Sequence, residues 1–229
     1  MKKVAILQSN YIPWKGYFDL INMVDEFVLF DEVQYTKNDW RNRNKIKTSQ
    51  GLQWLTIPVR QVSLEQKISE TMVANAKWNV KHWNSIVQNY SKSKYFSQYR
   101  NFFERLYFES NEESLSKINY SFIGAICEIL DIRTKISFSS KYQLIDGQTE
   151  KLLHICHQAG ASCYLSGPAA KEYFDISLAK KMDIDVEWMD YTGYPEYRQL
   201  HSGFEHSVSI LDLIFNEGPN AKSFMKSFK

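Results

Sequence analysis

Short apolar runs alternate with amphipathic stretches along the chain. Lys3–Leu7, Glu26–Phe30, Lys135–Phe138, Cys163–Ser166 and Asp185–Met189 are each short, apolar or β-branched, and bounded by polar or turn residues, as strands are. Helices are expected between them, over Tyr17–Val24, Thr149–Gln158 and Ala169–Met182, with a terminal one over Ser207–Asn216. The alternation predicts the α/β class: a mostly parallel, Rossmann-like sheet with helices on its faces and the first strand in the middle. Two segments interrupt it. Arg43–Arg60 reads as an antiparallel hairpin, with strand Arg43–Thr48, a turn around Gly51 and strand Gln53–Val59, continued by Lys67–Val73 as a third strand. Trp78–Asp131 then reads as helical, Leu115, Ile118, Phe122, Ile126, Ile129 and Leu130 forming one face. With no repeat, low-complexity tract or linker, residues 1–229 are expected to form a single domain, the hairpin and helices being an insertion at about 40–131.

Composition narrows the function classes. At 229 residues the chain can bury a large core, and 44% hydrophobic with 24% charged residues is ordinary for a globular protein. A formal net charge of +2 gives no strong signal for nucleic acid or a membrane surface. Aromatic residues reach 15%, and Tyr and Trp in polar loops suit stacking on sugar rings or bases as well as core packing. Cys127, Cys156 and Cys163 have neither an even count nor metal-type spacing, which points to reduced, buried thiols. The apolar stretch Val4–Leu7 is too short for a signal peptide and no run approaches a membrane span, so the cytoplasm is the expected compartment.

Candidate chemistry gathers where strands end. In an open parallel sheet ligands bind at the strands' C-terminal edge, and QSNYIPWKG follows the first strand there. Gln8, Asn10, Tyr11 and Trp14 are candidate ligand contacts, the bland alternative being a loop ordered by its own packing with Trp14 as a lid. The second strand runs into FDEVQYTKNDWRNRNKI. Asp31 and Glu32 stand beside Lys37, Arg41, Arg43 and Lys45, interleaved with Asn38, Asn42 and Asn44. This is either a solvated ion-pair network or a phosphate site built from forked guanidinium groups with an aspartate as base or hydroxyl holder. Neither GxGxxG nor GxxxxGK[ST] occurs, so the usual phosphate cradles are absent and no cofactor is named by the sequence. YLSGPAAKEYF carries a strand into a helix through Ser166 and Gly167, either an anion-binding helix start or a plain N-cap with Pro168 in the first turn. His82, four residues from Trp78 on one helical face, is a candidate general base or a packed structural histidine. His154 and His157 have an i, i+3 spacing but no further ligands nearby, so no metal is expected; His201 and His206 are rim candidates at most. Asp212 sits within an otherwise apolar helix and either faces the site or balances a charge.

QSNYIPWKGYF, FVLFDEVQYTKNDWRNRNKI, WLTIPV, WNVKHW with NYSKSKYF, YLSG, and YRQ with SVSILDLIFNEG follow one another in an order that resembles the WbqC-like family over nearly the whole chain. The chain departs from that family's pattern at Ser9, Glu32 and His206. The resemblance implies a place in bacterial biosynthesis of O-antigen and other surface polysaccharides, with transfer of glycine or another amino acid onto an amino sugar as a role proposed for some members. The expected substrates are then a nucleotide-linked amino sugar and an aminoacyl donor. His82, Asp31 and Lys37 are the candidate catalytic residues; Gln8, Asn10, Tyr11, Trp14, Arg41, Asn42, Arg43, Ser166 and Gly167 are the candidate substrate contacts. No serine or cysteine nucleophile motif is present, so direct attack by the amine is the expected route. Two alternatives stand beside it: a non-catalytic sugar-nucleotide or glycan-binding partner of the pathway, and an ATP-dependent, ligase-like enzyme.

Overall fold

The apolar run Lys3–Leu7 forms β1, whose middle three residues are buried, as a strand covered on both faces must be. The computed structural model describes residues 1–228. From β1 the chain passes through α1 (Lys15–Asn22) to β2 (Glu26–Leu29), then into β3 (Arg43–Thr48), β4 (Gly51–Thr56), β5 (Val59–Arg60) and β6 (Met72–Val73). Three helices follow, α2 (Trp78–Tyr90), α3 (Phe96–Phe108) and α4 (Leu115–Ile129). The alternating pattern then resumes with β7 (Lys135–Phe138), α5 (Thr149–Gln158), β8 (Cys163–Ser166), α6 (Ile176–Lys181), β9 (Asp185–Trp188) and α7 (Ile210–Glu217).

The main sheet has the order β7-β2-β1-β8-β9, and every neighbouring pair is parallel. The expected class and the central place of β1 are therefore observed. Residues alternate between its faces: Ala5, Phe27 and Leu29 join a large core with α1, α4 and α7, while Val4, Ile6 and Val28 join a smaller one with Leu152, Leu153, Ile155 and Cys156 of α5. Chain order reverses between β1 and β8. β2 and β7 lie on one side of β1, β8 and β9 on the other, so a crevice opens beyond Leu7 and Ser166.

Three expectations need correction. β4 begins at Gly51, so Ser49 and Gln50 make the turn, and β4 ends at Thr56. Pro58, which has no N–H to donate, follows; β5 then pairs with β6 in a separate two-stranded sheet, so Lys67–Val73 adds no third strand to the hairpin. Ala169–Met182 is not one helix either. A short 3₁₀ turn, Pro168–Glu172, is followed by buried Phe174 and then by Asp175, whose carboxylate accepts from the N–H groups of Ser177 and Leu178 and starts α6 afresh. The segment Trp78–Asp131 is helical as expected, as α2, α3 and α4.

Candidate functional site

All five parallel strands end on one edge, and the polar loops after β1, β2 and β8 meet there. A cleft of about 440 Å³ opens at the reversal point, lined by Gln8 after β1, Phe30 after β2, Ser166 and Gly167 after β8, and Gln148 and Lys151 at the start of α5. Backbone N–H groups in that first turn have no partner within the helix and Gln148 provides no side-chain cap, while the Glu150 carboxylate of the same turn folds back against Gly147 in the cleft wall. Tyr164 and Ser166 also line it, their hydroxyls close together. Burial holds the Tyr164 phenol well above its ordinary range.

A second cavity, about 230 Å³, lies beside the opening loop and is lined by Asn10, Pro13, Trp14, Trp40, Asn44 and Ser207. Gly16 makes it possible. The Trp14 ring folds back across the start of α1, and a Cβ on residue 16 would come within 2.3 Å of it. Tyr191 and Tyr194 hold the other edges of the indole, their centroids 5.2 and 5.5 Å away. Next to Trp14, Lys15 is buried with its ammonium donating to Pro195 O (3.0 Å) and facing the rings of Tyr194 and Tyr197. Burial lowers its pKa to about 8 against the partial opposition of Asp19.

Arg41 joins the two cavities. Its guanidinium donates to Gln8 Oε1 (3.0 Å), in the wall of the first, and to Asn10 Oδ1, in the wall of the second. Asp39 lies 3.6 Å from the same group. The loop carrying Gln8 and Asn10 is fixed from below: Asp31 accepts from Ser9 N–H (2.8 Å) and from the Ser116 hydroxyl of α4, while Asn119 Nδ2 donates to Ser9 Oγ (3.0 Å) and Arg41 O (2.8 Å). Ile12 has φ of +37°, an outlying conformation for a β-branched residue. Its setting over-determines it. Asn44 Nδ2 donates to Tyr11 O (3.1 Å) and Ile12 O (2.9 Å), Tyr11 N–H to Trp40 O (3.0 Å), and Ile210 N–H to Pro13 O (2.9 Å).

The candidate residues thus divide by position. Gln8, Ser166 and Gly167 share the reversal-point cleft, Asn10 and Trp14 share the second cavity, and Arg41 lines neither but hydrogen-bonds Gln8 of the first and Asn10 of the second. Tyr11, Asp31, Asn42 and His82 are buried behind the loops. Tyr11 Oη donates to His82 Nδ1 (2.9 Å) and accepts from Tyr107 Oη (2.7 Å); His82 Nε2–H donates to Thr56 O (3.1 Å), because a carbonyl can only accept. Burial drives the His82 imidazole down to about 4 although the Thr56 carbonyl favours its proton. Asn42 Nδ2 donates to Ile57 O (2.8 Å), tying β3 to the end of β4. Lys37 is exposed. Arg43 lies on the outer hairpin face, donating to Asn38 O with its guanidinium carbon 4.1 Å from the centre of the Trp54 ring. Asp212 accepts from Tyr90 (2.8 Å) and Tyr197 (2.9 Å) in the interior, away from both cavities.

Sequence reasoning missed Lys151, Gln148, Trp40 and Trp54. For Lys151 a signal existed: a parallel sheet places the start of α5 on the same edge as the loops after β1 and β8. Trp40 and Trp54 are 14 positions apart in sequence, and only the fold places their rings 5.4 Å apart.

A model of the WbqC-like protein family matches residues 8–224, from the opening loop to the end of the chain's last turn. The chain belongs to the WbqC-like protein family. The matched range includes the loops of both cavities and the buried supports beneath them. The chain is also similar to Uncharacterized protein Rv1507c of Mycobacterium tuberculosis, 49% identical over 227 residues that cover 99% of this chain and 98% of that one. No solved structure matches it. Among the described residues no helix is long and apolar enough to cross a membrane.

Proposed function

We propose that this WbqC-like protein is a transferase that joins an acyl or aminoacyl group, glycyl in the simplest case, to the amine of a nucleotide-linked amino sugar for O-antigen or another surface polysaccharide. The observation that carries this reading is Arg41, one guanidinium that hydrogen-bonds a wall residue of each of two cavities. A sugar nucleotide in the reversal-point cleft would place its phosphates at Lys151 and the first turn of α5. The donor would occupy the second cavity. The neutral amine attacks the donor carbonyl, the carbon–nitrogen bond forms, the carbon–oxygen bond to the carrier breaks, and the departing oxygen takes the proton that the nitrogen sheds. Arg41, oriented by Gln8 and Asn10, meets the charge that develops on the carbonyl oxygen. Asp31 and His82 act through the loop they hold in place.

The test mixes purified protein with amino-sugar nucleotides and with glycine plus ATP, or with glycyl-tRNA, and follows the mass of the sugar. A gain equal to one acyl group is expected. Arg41→Ala should slow transfer about a hundredfold, the scale for loss of one oxyanion donor. Arg41→Lys should not restore the rate, because a point charge cannot serve Gln8 and Asn10 together. A second reading, a non-catalytic sugar-nucleotide binder, is favoured by one observation: both His82 nitrogens and both Asp31 oxygens are already hydrogen-bonded inside the protein. Tight binding of the sugar nucleotide with no change of mass under any donor would establish it.

A further inference from the structure

The outer face of the β3–β4 hairpin carries a cluster that the reversal-point cleft does not use. Trp40 and Trp54 are 40% and 39% exposed, large fractions for indoles, and their rings lie 5.4 Å apart at 41°. Two cations sit on them. The Arg43 guanidinium covers Trp54 at 4.1 Å, and the Lys45 ammonium stands 5.0 Å from Trp54 and 5.7 Å from Trp40. Trp40 is also a wall of the second cavity, facing Trp14 and Pro13, with Asn10, Asn44 and Ser207 as its polar lining. Asn10 spends only its amide oxygen, on Arg41, and its amide nitrogen makes no hydrogen bond among the described residues. An apolar ligand would leave the Lys45 ammonium and this amide unanswered, and a bare anion would leave the indoles unanswered.

We infer that Trp40, Trp54, Arg43 and Lys45, with the adjoining cavity, form a binding site for a nucleoside phosphate, its base against the Trp40 indole and its phosphate on Lys45 and Arg43. Stacking on an indole with a cation in reach of the phosphate is the chemistry by which nucleotides are held without a glycine-rich loop. The site's use by the acyl donor rests on the transfer reading, so that the donor is activated through a nucleotide; the binding chemistry itself does not depend on it.

Calorimetric titration with adenosine 5′-monophosphate, adenosine and ribose 5-phosphate tests the site. The monophosphate is expected to bind most tightly, since it alone offers both base and phosphate. Trp40→Ala should weaken it about tenfold or more, the scale for loss of one base–aromatic stack, while Trp40→Phe retains most of the affinity. Trp40 is hydrogen-bonded only through its backbone, so the fold should survive, and the Trp54→Ala variant gives an independent measure of the platform. Lys45→Met should erase the advantage of the monophosphate over adenosine. Lys151→Ala, in the other cleft, should leave monophosphate binding unchanged while weakening the sugar nucleotide. Ribose 5-phosphate binding as tightly as the monophosphate would overturn the assignment. So would affinity that ignores Trp40 and Lys45 but falls with Lys151, or a single-stranded oligonucleotide binding where the monophosphate does not. Monophosphate binding with this pattern and a silent mass assay would keep the site and discard the transfer reading.

Discussion

His82 has no free nitrogen. Its Nε2–H is given to Thr56 O and its Nδ1 receives Tyr11 Oη, so the ring is held in one neutral tautomer at the end of a three-residue chain that starts at Tyr107. Burial lowers its pKa from 6.5 to about 4, and the sign of the consequence is fixed. Between those values the unfolded chain binds a proton that the folded one refuses. Stability is therefore complete above about pH 6.5 and declines as pH falls towards 4, by about 3 kcal/mol in all. His82→Gln, which cannot ionise, should flatten this slope in urea titrations between pH 4 and 6.5. A variant with the wild-type slope would mean that another group titrates there. The sequence put Trp78 and His82 on one helical face, and that is where they are, their rings 5.2 Å apart. It did not reveal Thr56, 26 positions earlier, whose carbonyl keeps the proton on Nε2 and so leaves the lone pair on Nδ1, where Tyr11 Oη takes it.

At the scale of elements, β3 does more than form a hairpin. Asn44, halfway along its first half, reaches into the opening loop and holds the carbonyls of Tyr11 and Ile12. Asn44→Ala would leave both buried and unpaired. A loss of about 2–5 kcal/mol is expected in denaturant unfolding, together with weaker binding at the second cavity, which Asn44 also lines. The five parallel strands were legible to within a residue because each is short and bounded by polar or turn residues, and in β1, β2 and β8 burial on both faces leaves an apolar run little choice. Of the residues the sequence singled out in the opening loop, Gln8, Asn10 and Trp14 line the cavities. Tyr11 stands between them in sequence yet points inward, and no periodicity governs a loop. Arg41 and Arg43 looked equivalent for a related reason. Successive side chains of an extended segment face opposite ways, but these two straddle the start of β3, so strand alternation does not relate them. The helix expected over Ala169–Met182 failed at Phe174, where one large apolar side chain turns into the smaller core and the backbone follows it.

At the scale of the whole molecule, the edge opposite the cavities sets the acid limit. Glu26 is buried at the start of β2, where it accepts from Lys2 (2.7 Å), Lys135 (3.0 Å), Ser137 (2.8 Å) and Tyr142 (2.6 Å). Burial alone would raise its pKa, but these four donors outweigh it and bring the carboxyl down to about 2. This contribution is complete above about pH 4.5 and is lost as pH falls towards 2, a window below that of His82. Glu26→Gln should lower stability at neutral pH and remove the dependence in the lower window. We propose that residues 1–229 unfold as one unit, so tryptophan fluorescence and far-ultraviolet circular dichroism should trace the same acid transition; two separated transitions would divide the insertion from the sheet. The backbone at Ile12 adds a consequence in time. Its left-handed φ has no local support, because the amide that secures it arrives from Asn44 only when the hairpin docks. That turn of chain is expected to close after the rate-limiting barrier, in which case Asn44→Ala hastens unfolding and leaves the refolding rate as it was; slower refolding in stopped-flow traces would place the closure before the barrier.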